Sequence, residues 1–152
     1  MMKVYIERIP EEGLLLEGEE SPRIIDIGPS EERFKENIHI SLKAYKITGK
    51  LIVGGVVWTD VVLICSLCSE SFTYLIENKG FSYDCELEGR DIIDLTEPIR
   101  EDILIGLPIT PLCQKDCKGL CVECGKNLNF GKCGCLEKRV LKGPLGKLGD
   151  LF

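Results

Sequence analysis

The chain has 152 residues, 44% hydrophobic and 29% charged, which fits one ordinary domain with a small appendage and excludes two full-sized domains. Sixteen glycines and seven prolines are too few for a collagen-like or low-complexity chain, and the apolar fraction is too high for a disordered one. The formal charge of -6 is unevenly laid out: residues 1–112 hold eleven Lys/Arg against twenty-one Asp/Glu, and residues 113–152 hold eight against four.

The first residues read as short strands broken by turns: Val4 to Ile9, a turn at Pro10 to Gly13, Leu14 to Glu17, then an acidic loop through Pro22. From Ile38 the pattern sharpens. Ile38, Ile40, Leu42 and Ala44 alternate with His39, Ser41, Lys43 and Tyr45, the period of a half-buried strand, and His39 falls on the wetter face. Thr48-Gly49-Lys50 turns the chain into a β-rich stretch, Leu51 to Cys65, in which Gly54-Gly55 marks a bulge or a close backbone approach. Cys65-Ser66-Leu67-Cys68 then sits at a β-turn, and Ser71 to Ile76 returns as a strand. Phe72, Tyr74, Phe81 and Tyr83 are expected to pack rather than to stack on bases.

Asp94-Leu95-Thr96-Glu97 has the form of a capping box, and Pro98 is tolerated in a first helical turn. Leu95, Ile99, Ile103 and Leu107 recur every four residues, which predicts one amphipathic helix from Leu95 to about Ile105, closed by Gly106 and Pro108. The fold class is therefore α+β: a small antiparallel β-rich body over 1–112 with one main helix, and a cysteine-rich tail over 113–152 packed on it. Met1 to Arg8 holds no apolar stretch of signal-peptide length, and the longest uncharged apolar run, Leu51 to Trp58, is too short for a bilayer. A soluble cytoplasmic protein with no membrane contact is expected.

Nine cysteines are the unusual count, because a reducing cytosol disfavours disulfides and favours thiolate–metal bonds. Eight form four close pairs: Cys65/Cys68, Cys113/Cys117, Cys121/Cys124 and Cys133/Cys135. Tetrahedral Zn2+ takes four thiolates, so four pairs point to two zinc ions per chain. Cys121, Cys124, Cys133 and Cys135 make a local site. Cys65, Cys68, Cys113 and Cys117 make a non-local one that would staple the helix exit to the hairpin. A single zinc held by four of the six tail cysteines is the other partition. Cys85, between Asp84 and Glu86, reads as a free thiol whose neighbouring carboxylates oppose its ionisation.

Enzymatic readings lack parts. One histidine allows no histidine-rich catalytic zinc, and no phosphate-cradling glycine loop is present, so neither an enzyme nor a small-molecule substrate is expected. Cys117-x3-Cys121-x2-Cys124 has a radical-enzyme iron–sulfur spacing, but the chain is too short for the barrel those enzymes need, which leaves a simple iron–sulfur carrier. A dithiol oxidoreductase would place its CxxC at a helix N-terminus rather than between strands. The basic residues Lys126, Lys132, Lys138, Arg139 and Lys142 are candidates for nucleic-acid contact, against the plainer reading of a solvated tail.

The segment from Asp94-Leu95 through Pro108-Ile109-Thr110-Pro111-Leu112-Cys113, continuing as Asp116-Cys117-Lys118-Gly119-Leu120-Cys121-Val122-Glu123-Cys124-Gly125 and Asn127-Leu128-Asn129, resembles the YceD family of bacteria and plastids. Cys65-Ser66-Leu67-Cys68 ahead of Phe72 is similar to that family's upstream CxxC, and the resemblance spans about residues 38–145. It implies a β-rich α+β fold with a cysteine tail and a part in large-subunit ribosomal RNA accumulation, with rRNA or a ribosomal protein as partner. Ser66-Leu67 stands where the family has an arginine between the cysteines, so no basic contact is expected at that turn. A zinc- or thiol-based redox or metal sensor is the competing class, since thiolates that release zinc can also oxidise.

Overall fold

A computed structural model describes residues 2–25 and 34–135. Six strands are present among them: β1 (Lys3–Tyr5), β2 (Leu14–Glu20), β3 (Ile38–Ile47), β4 (Lys50–Ile64), β5 (Ser71–Glu86) and β6 (Ile92–Asp94). One α-helix, α1 (Thr96–Ile105), follows β6. The chain divides into two compact units, Met1–Leu63 with Thr73–Ile109, and Ile64–Phe72 with Thr110–Phe152. The second unit thus takes in the CxxC turn as well as the tail, and opens at Thr110 where the sequence places the boundary after residue 112.

The first unit is built on a four-stranded sheet in the order β2-β3-β4-β5 and a two-stranded antiparallel ribbon, β1-β6. The period of two expected from Ile38 is seen directly: Ile38, Ile40, Leu42 and Ala44 are buried, and along β4 Leu51, Val53, Val57, Val61 and Leu63 are buried, with Val57 opposite Ile40 and Val53 opposite Ala44. Ile47 faces Lys50, so Thr48 and Gly49 form a two-residue hairpin loop, both at positive φ (47° and 78°) as such a loop requires. Gly55 is a close approach. A Cβ there would strike the Ser41 carbonyl oxygen and the Leu42 backbone. Thr59-Asp60 does not interrupt β4, because Thr59 turns inward and its hydroxyl donates to the Asn37 carbonyl at 3.2 Å.

Three elements differ from the sequence expectation. The strand expected over Val4 to Ile9 ends at Tyr5 and gives way to a 3-10 turn, Ile6–Arg8. Buried Val4 and Ile6 keep the two-residue period across that change, which is why the sequence does not reveal it. β5 runs on past Ile76 to Glu86, a continuation the sequence pattern hides because the inward parity shifts from even (Ile76) to odd (Phe81) around Asn78, whose side-chain oxygen accepts from Gly80 N at 2.8 Å. β6 is too short to announce itself and exists through its pairing with β1.

The helix buries its four-residue stripe as expected, with Leu95, Ile99 and Ile103 fully covered. Its C-terminal end lies on β5: Asn78 Nδ2 donates to Asp102 at 2.6 Å, and a Cβ on Gly106 would come within 2.5 Å of the Ile76 methyl. Gly106 has right-handed helical dihedrals, so the glycine serves close packing rather than a left-handed cap. At the other end Asp94 Oδ1 accepts from Thr96 N at 2.9 Å, while Glu97 meets Arg100 at 3.4 Å instead of forming the other half of a capping box.

Replacing Asp94 by Ala is expected to destabilise the fold by about 1 kcal/mol at neutral pH. Thr96, through its side chain and its backbone N–H, holds the Asp94 carboxyl below its ordinary value. The carboxylate's contribution is therefore full above the unfolded-state value of about 3.9 and lost as pH falls through the lower folded-state one. Urea unfolding should show the gap between Asp94→Ala and the parent at neutral pH and its narrowing toward about pH 2.

Candidate metal centres

The second unit contains the same turn twice. After Cys65, Ser69 N donates to the Cys65 carbonyl at 3.0 Å and Cys65 N donates to the Glu70 carbonyl at 2.9 Å. After Cys121, Gly125 N donates to the Cys121 carbonyl and Cys121 N to the Lys126 carbonyl, both at 2.8 Å. The fifth residue of each turn is left-handed, Ser69 at φ 59° and Gly125 at φ 72°. The glycine is the residue for that conformation, and the serine bears it at a cost in strain.

Each turn presents two sulfurs, and each is completed by a second pair. Cys65, Cys68, Cys113 and Cys117 have all four sulfurs within 4.8 Å of one another, as do Cys121, Cys124, Cys133 and Cys135. These are the two groups that the spacing pairs. Cys65 Sγ lies 3.7 Å from Cys117 Sγ, and Cys68 Sγ 3.6 Å from Cys113 Sγ. A disulfide would need about 2.05 Å, whereas sulfurs at about 2.3 Å around a tetrahedral Zn2+ are about 3.8 Å apart. All nine cysteines are unbridged. The donor set and its spacing fit a divalent ion in each group.

The electrostatics point the same way. Burial pushes the Cys65 thiol up, but N–H groups of Cys113, Cys68 and Leu67 outweigh it and bring the thiol down to about 6. Cys121 is lowered to about 6 by the N–H groups of Cys124 and Glu123. In both turns, then, the N–H groups two and three residues on are aimed at the first sulfur. The last proton is as hard to remove as the first is easy. Burial and the sulfurs of Cys68, Cys117 and Cys65 push Cys113 up to about 12, and the Cys124 sulfur, with burial, does the same to Cys135. Four thiolates so close repel one another unless a cation sits among them, and a bound divalent ion inverts that order.

Asn129 braces the first group. Its Nδ2 donates to Cys117 Sγ at 3.3 Å while its Oδ1 accepts from Lys118 N at 2.8 Å and Gln114 Nε2 at 3.4 Å. The 3-10 turn Leu128–Phe130 that carries it is held by Asn127, whose Oδ1 accepts from Asn129 N at 3.0 Å and whose Nδ2 reaches Glu70. Leu120 N donates to the Leu67 carbonyl at 3.0 Å, so the segment entering the second group is bonded to the turn of the first. Gly119, at φ 70°, lies against Leu67, where a Cβ would come within 3.0 Å of the Leu67 carbonyl oxygen. Asn127 and Asn129 were legible in the sequence only as part of a family-like segment, with nothing to mark them as donors to sulfur.

The other described candidates belong to neither four-cysteine group. Cys85 is in β5 and His39 in β3, where His39 Nδ1 meets Glu19 at 3.2 Å. Lys126 and Lys132 are exposed neighbours, Lys126 Nζ donating to the Lys132 carbonyl at 3.1 Å. Lys138, Arg139 and Lys142 lie outside the described residues. No described helix is long and apolar enough to cross a membrane.

Residues 82–152 match the family described as large ribosomal RNA subunit accumulation protein YceD. A chloroplastic YCED homolog 1 of Arabidopsis thaliana, named a large ribosomal RNA subunit accumulation protein, is 29% identical over 74% of this chain and 49% of its own length. Over residues 82–152 the chain is similar to the YceD family. The Zea mays protein of the same name is 26% identical over 66% of the chain and 49% of its own, and an uncharacterized Mycobacterium leprae protein is 27% identical over 60% and 49%. The chain thus spans about half the length of these YceD relatives and of the mycobacterial protein. The family match starts at residue 82, so three of the four cysteine pairs fall inside it and the Cys65/Cys68 pair precedes it. No solved structure matches.

The repeated turn yields opposite expectations at equivalent positions. Ser69→Gly relieves a left-handed serine and should raise stability, while Gly125→Ala should lower it, each by about 1 kcal/mol. Thermal unfolding of the two variants beside the parent reads both signs.

Proposed function

We propose that this chain, similar to the YceD family over residues 82–152, is a non-enzymatic zinc-binding factor in large-subunit ribosomal RNA accumulation, acting by binding rRNA, a ribosomal protein or both. The observation that carries the reading is the pair of four-cysteine groups on a chain similar, over residues 82–152, to a family described by large ribosomal RNA subunit accumulation. Four sulfur donors fill a tetrahedral shell and leave no open position for a substrate, which suits a structural role better than a catalytic one. Zn2+ would supply cross-linking and charge neutralisation. Cys65, Cys68, Cys113 and Cys117 would hold one ion and join the chain stretches 64–72 and 110–135; Cys121, Cys124, Cys133 and Cys135 would hold the other.

Charge then limits the contacts. Each four-thiolate zinc group keeps about two negative charges, which weakens the positive field of the tail. RNA contact falls to Lys126, Lys132, Lys138, Arg139 and Lys142, and should weaken steeply with salt. The acidic stretch 1–112, with twenty-one Asp/Glu against eleven Lys/Arg, favours a basic ribosomal protein.

Elemental analysis of anaerobically purified protein should give two zinc atoms per chain, and Cys117→Ser and Cys124→Ser should each lose one. A folded, metal-free native protein would overturn the reading. Asn129→Ala should weaken metal retention in the first group by about tenfold or more, measured by chelator competition. Changing Lys138, Arg139 and Lys142 together to Glu should reduce RNA retention in a low-salt gel shift with the unfolding curve unchanged. Co-sedimentation with assembling large subunits, before and after nuclease, separates RNA-mediated from protein-mediated association.

A further inference from the structure

The one tryptophan and the one histidine of the chain sit together on the outward face of the sheet. His39 in β3 and Trp58 in β4 are register partners, and their rings stack at 5.3 Å with an interplanar angle of 17°. The stack is braced. Glu19 in β2, the register partner of His39 on its other side, holds His39 Nδ1 at 3.2 Å and accepts from Asn37 Nδ2 at 2.8 Å. Asn37 is fixed in turn by the Thr59 hydroxyl on its carbonyl. Beside the stack opens a cavity of about 260 Å³ lined by Lys35, Glu36, His39, Trp58, Asp60 and Thr73 among others, all within the first unit.

Size, shape and charge narrow what this cavity can take. It is smaller than the roughly 300–1,000 Å³ of ordinary small-molecule sites and suits a single side chain. Its aromatic wall is half-exposed, and among the described residues its charged groups are two carboxylates, Glu36 and Asp60, against one amine, Lys35, with Glu19 adjoining. A nucleobase could stack on Trp58, but its phosphates would meet carboxylates. A guanidinium is planar, cationic and weakly hydrated, so it satisfies the ring and the carboxylates at once; an ammonium satisfies only the charge.

We propose that this pocket receives an arginine side chain from a basic polypeptide partner, its guanidinium stacked on Trp58 and paired with Asp60 and Glu36. This names the chemistry of the protein partner in the reading above and rests on that reading for the partner's place in ribosome assembly.

Because Trp58 is the chain's only tryptophan, its emission reports the pocket directly in the whole zinc-loaded protein. Three probes are titrated: a short arginine-rich peptide, the same peptide with lysine at every arginine, and a single-stranded RNA oligonucleotide. The arginine peptide should change the emission saturably, and the lysine peptide should bind about three- to fivefold more weakly. Asp60→Asn and Glu36→Gln, exposed polar changes checked by circular dichroism, should each weaken the arginine peptide severalfold. No saturable change, an equal response to both peptides, or saturation by the RNA instead would overturn the pocket assignment. A silent pocket in a protein that still co-sediments with assembling subunits defeats this proposal and spares the assembly reading. Arginine-selective binding without such association supports the pocket and defeats that reading.

Discussion

Sulfurs packed this closely pose a charge problem that the rest of the second unit is arranged around. Four thiols within 4.8 Å of one another cannot all ionise by themselves, since the first proton leaves near 6 in each group while the last is held near 12. Backbone N–H groups aimed at Cys65 and Cys121 resolve the first step, and a divalent cation is the physical answer to the last. Among the described residues of this unit few apolar side chains are buried; outside Cys65, Cys68 and Cys121, it exposes Ile64, Leu67, Leu112, Leu120, Val122 and Phe130 to differing degrees. Small domains with little apolar core can draw order from a bound metal, and the two cysteine groups could hold one each.

The duplicated turn shows how the same solution is reached twice from different sequences. Cys65 and Cys121 share two backbone hydrogen bonds, two N–H groups on sulfur and a left-handed fifth residue, yet that residue is Ser69 in one and Gly125 in the other. What is repeated is backbone geometry around the first sulfur. The second pair of each group is free to differ, and it does: Cys113/Cys117 lies far along the chain from its turn, while Cys133/Cys135 closes locally. Asn129 then ties the two halves of this unit, because it donates to a sulfur of the first group from a 3-10 turn that follows the Cys121 turn of the second.

Period and spacing were the legible parts of this chain, and parity breaks were not. The alternation from Ile38, the four-residue stripe from Leu95 and the pairing of eight cysteines are each a rule about identical neighbours at fixed intervals, so they survive without knowledge of the tertiary structure. In β5 the alternation from Ser71 stops at Ile76, because the inward parity changes near Asn78 and puts Phe81 out of step, which reads as the end of a strand. β6 has three residues and no pattern of its own; its identity comes from β1, some ninety residues away. Asn129 escaped for a different reason. A side-chain amide that donates to sulfur looks in sequence like any turn asparagine.

His39 illustrates how a correct placement can still miss a role. Its position on the wet face follows from the alternation, and that face is ordinarily featureless in a half-solvated sheet. Here the neighbouring strands put Trp58 and Glu19 at the same register level, and the chain before β3 adds Lys35, Glu36 and Asn37. The sheet therefore supplies an aromatic plane, and the approach to β3 supplies polar walls. An apolar core residue would gain nothing from such neighbours, and an exposed indole costs solubility unless something covers it. Acidic groups around an exposed aromatic ring select for a cation, and the excess of carboxylates along residues 1–112 would draw a basic chain toward it from a distance.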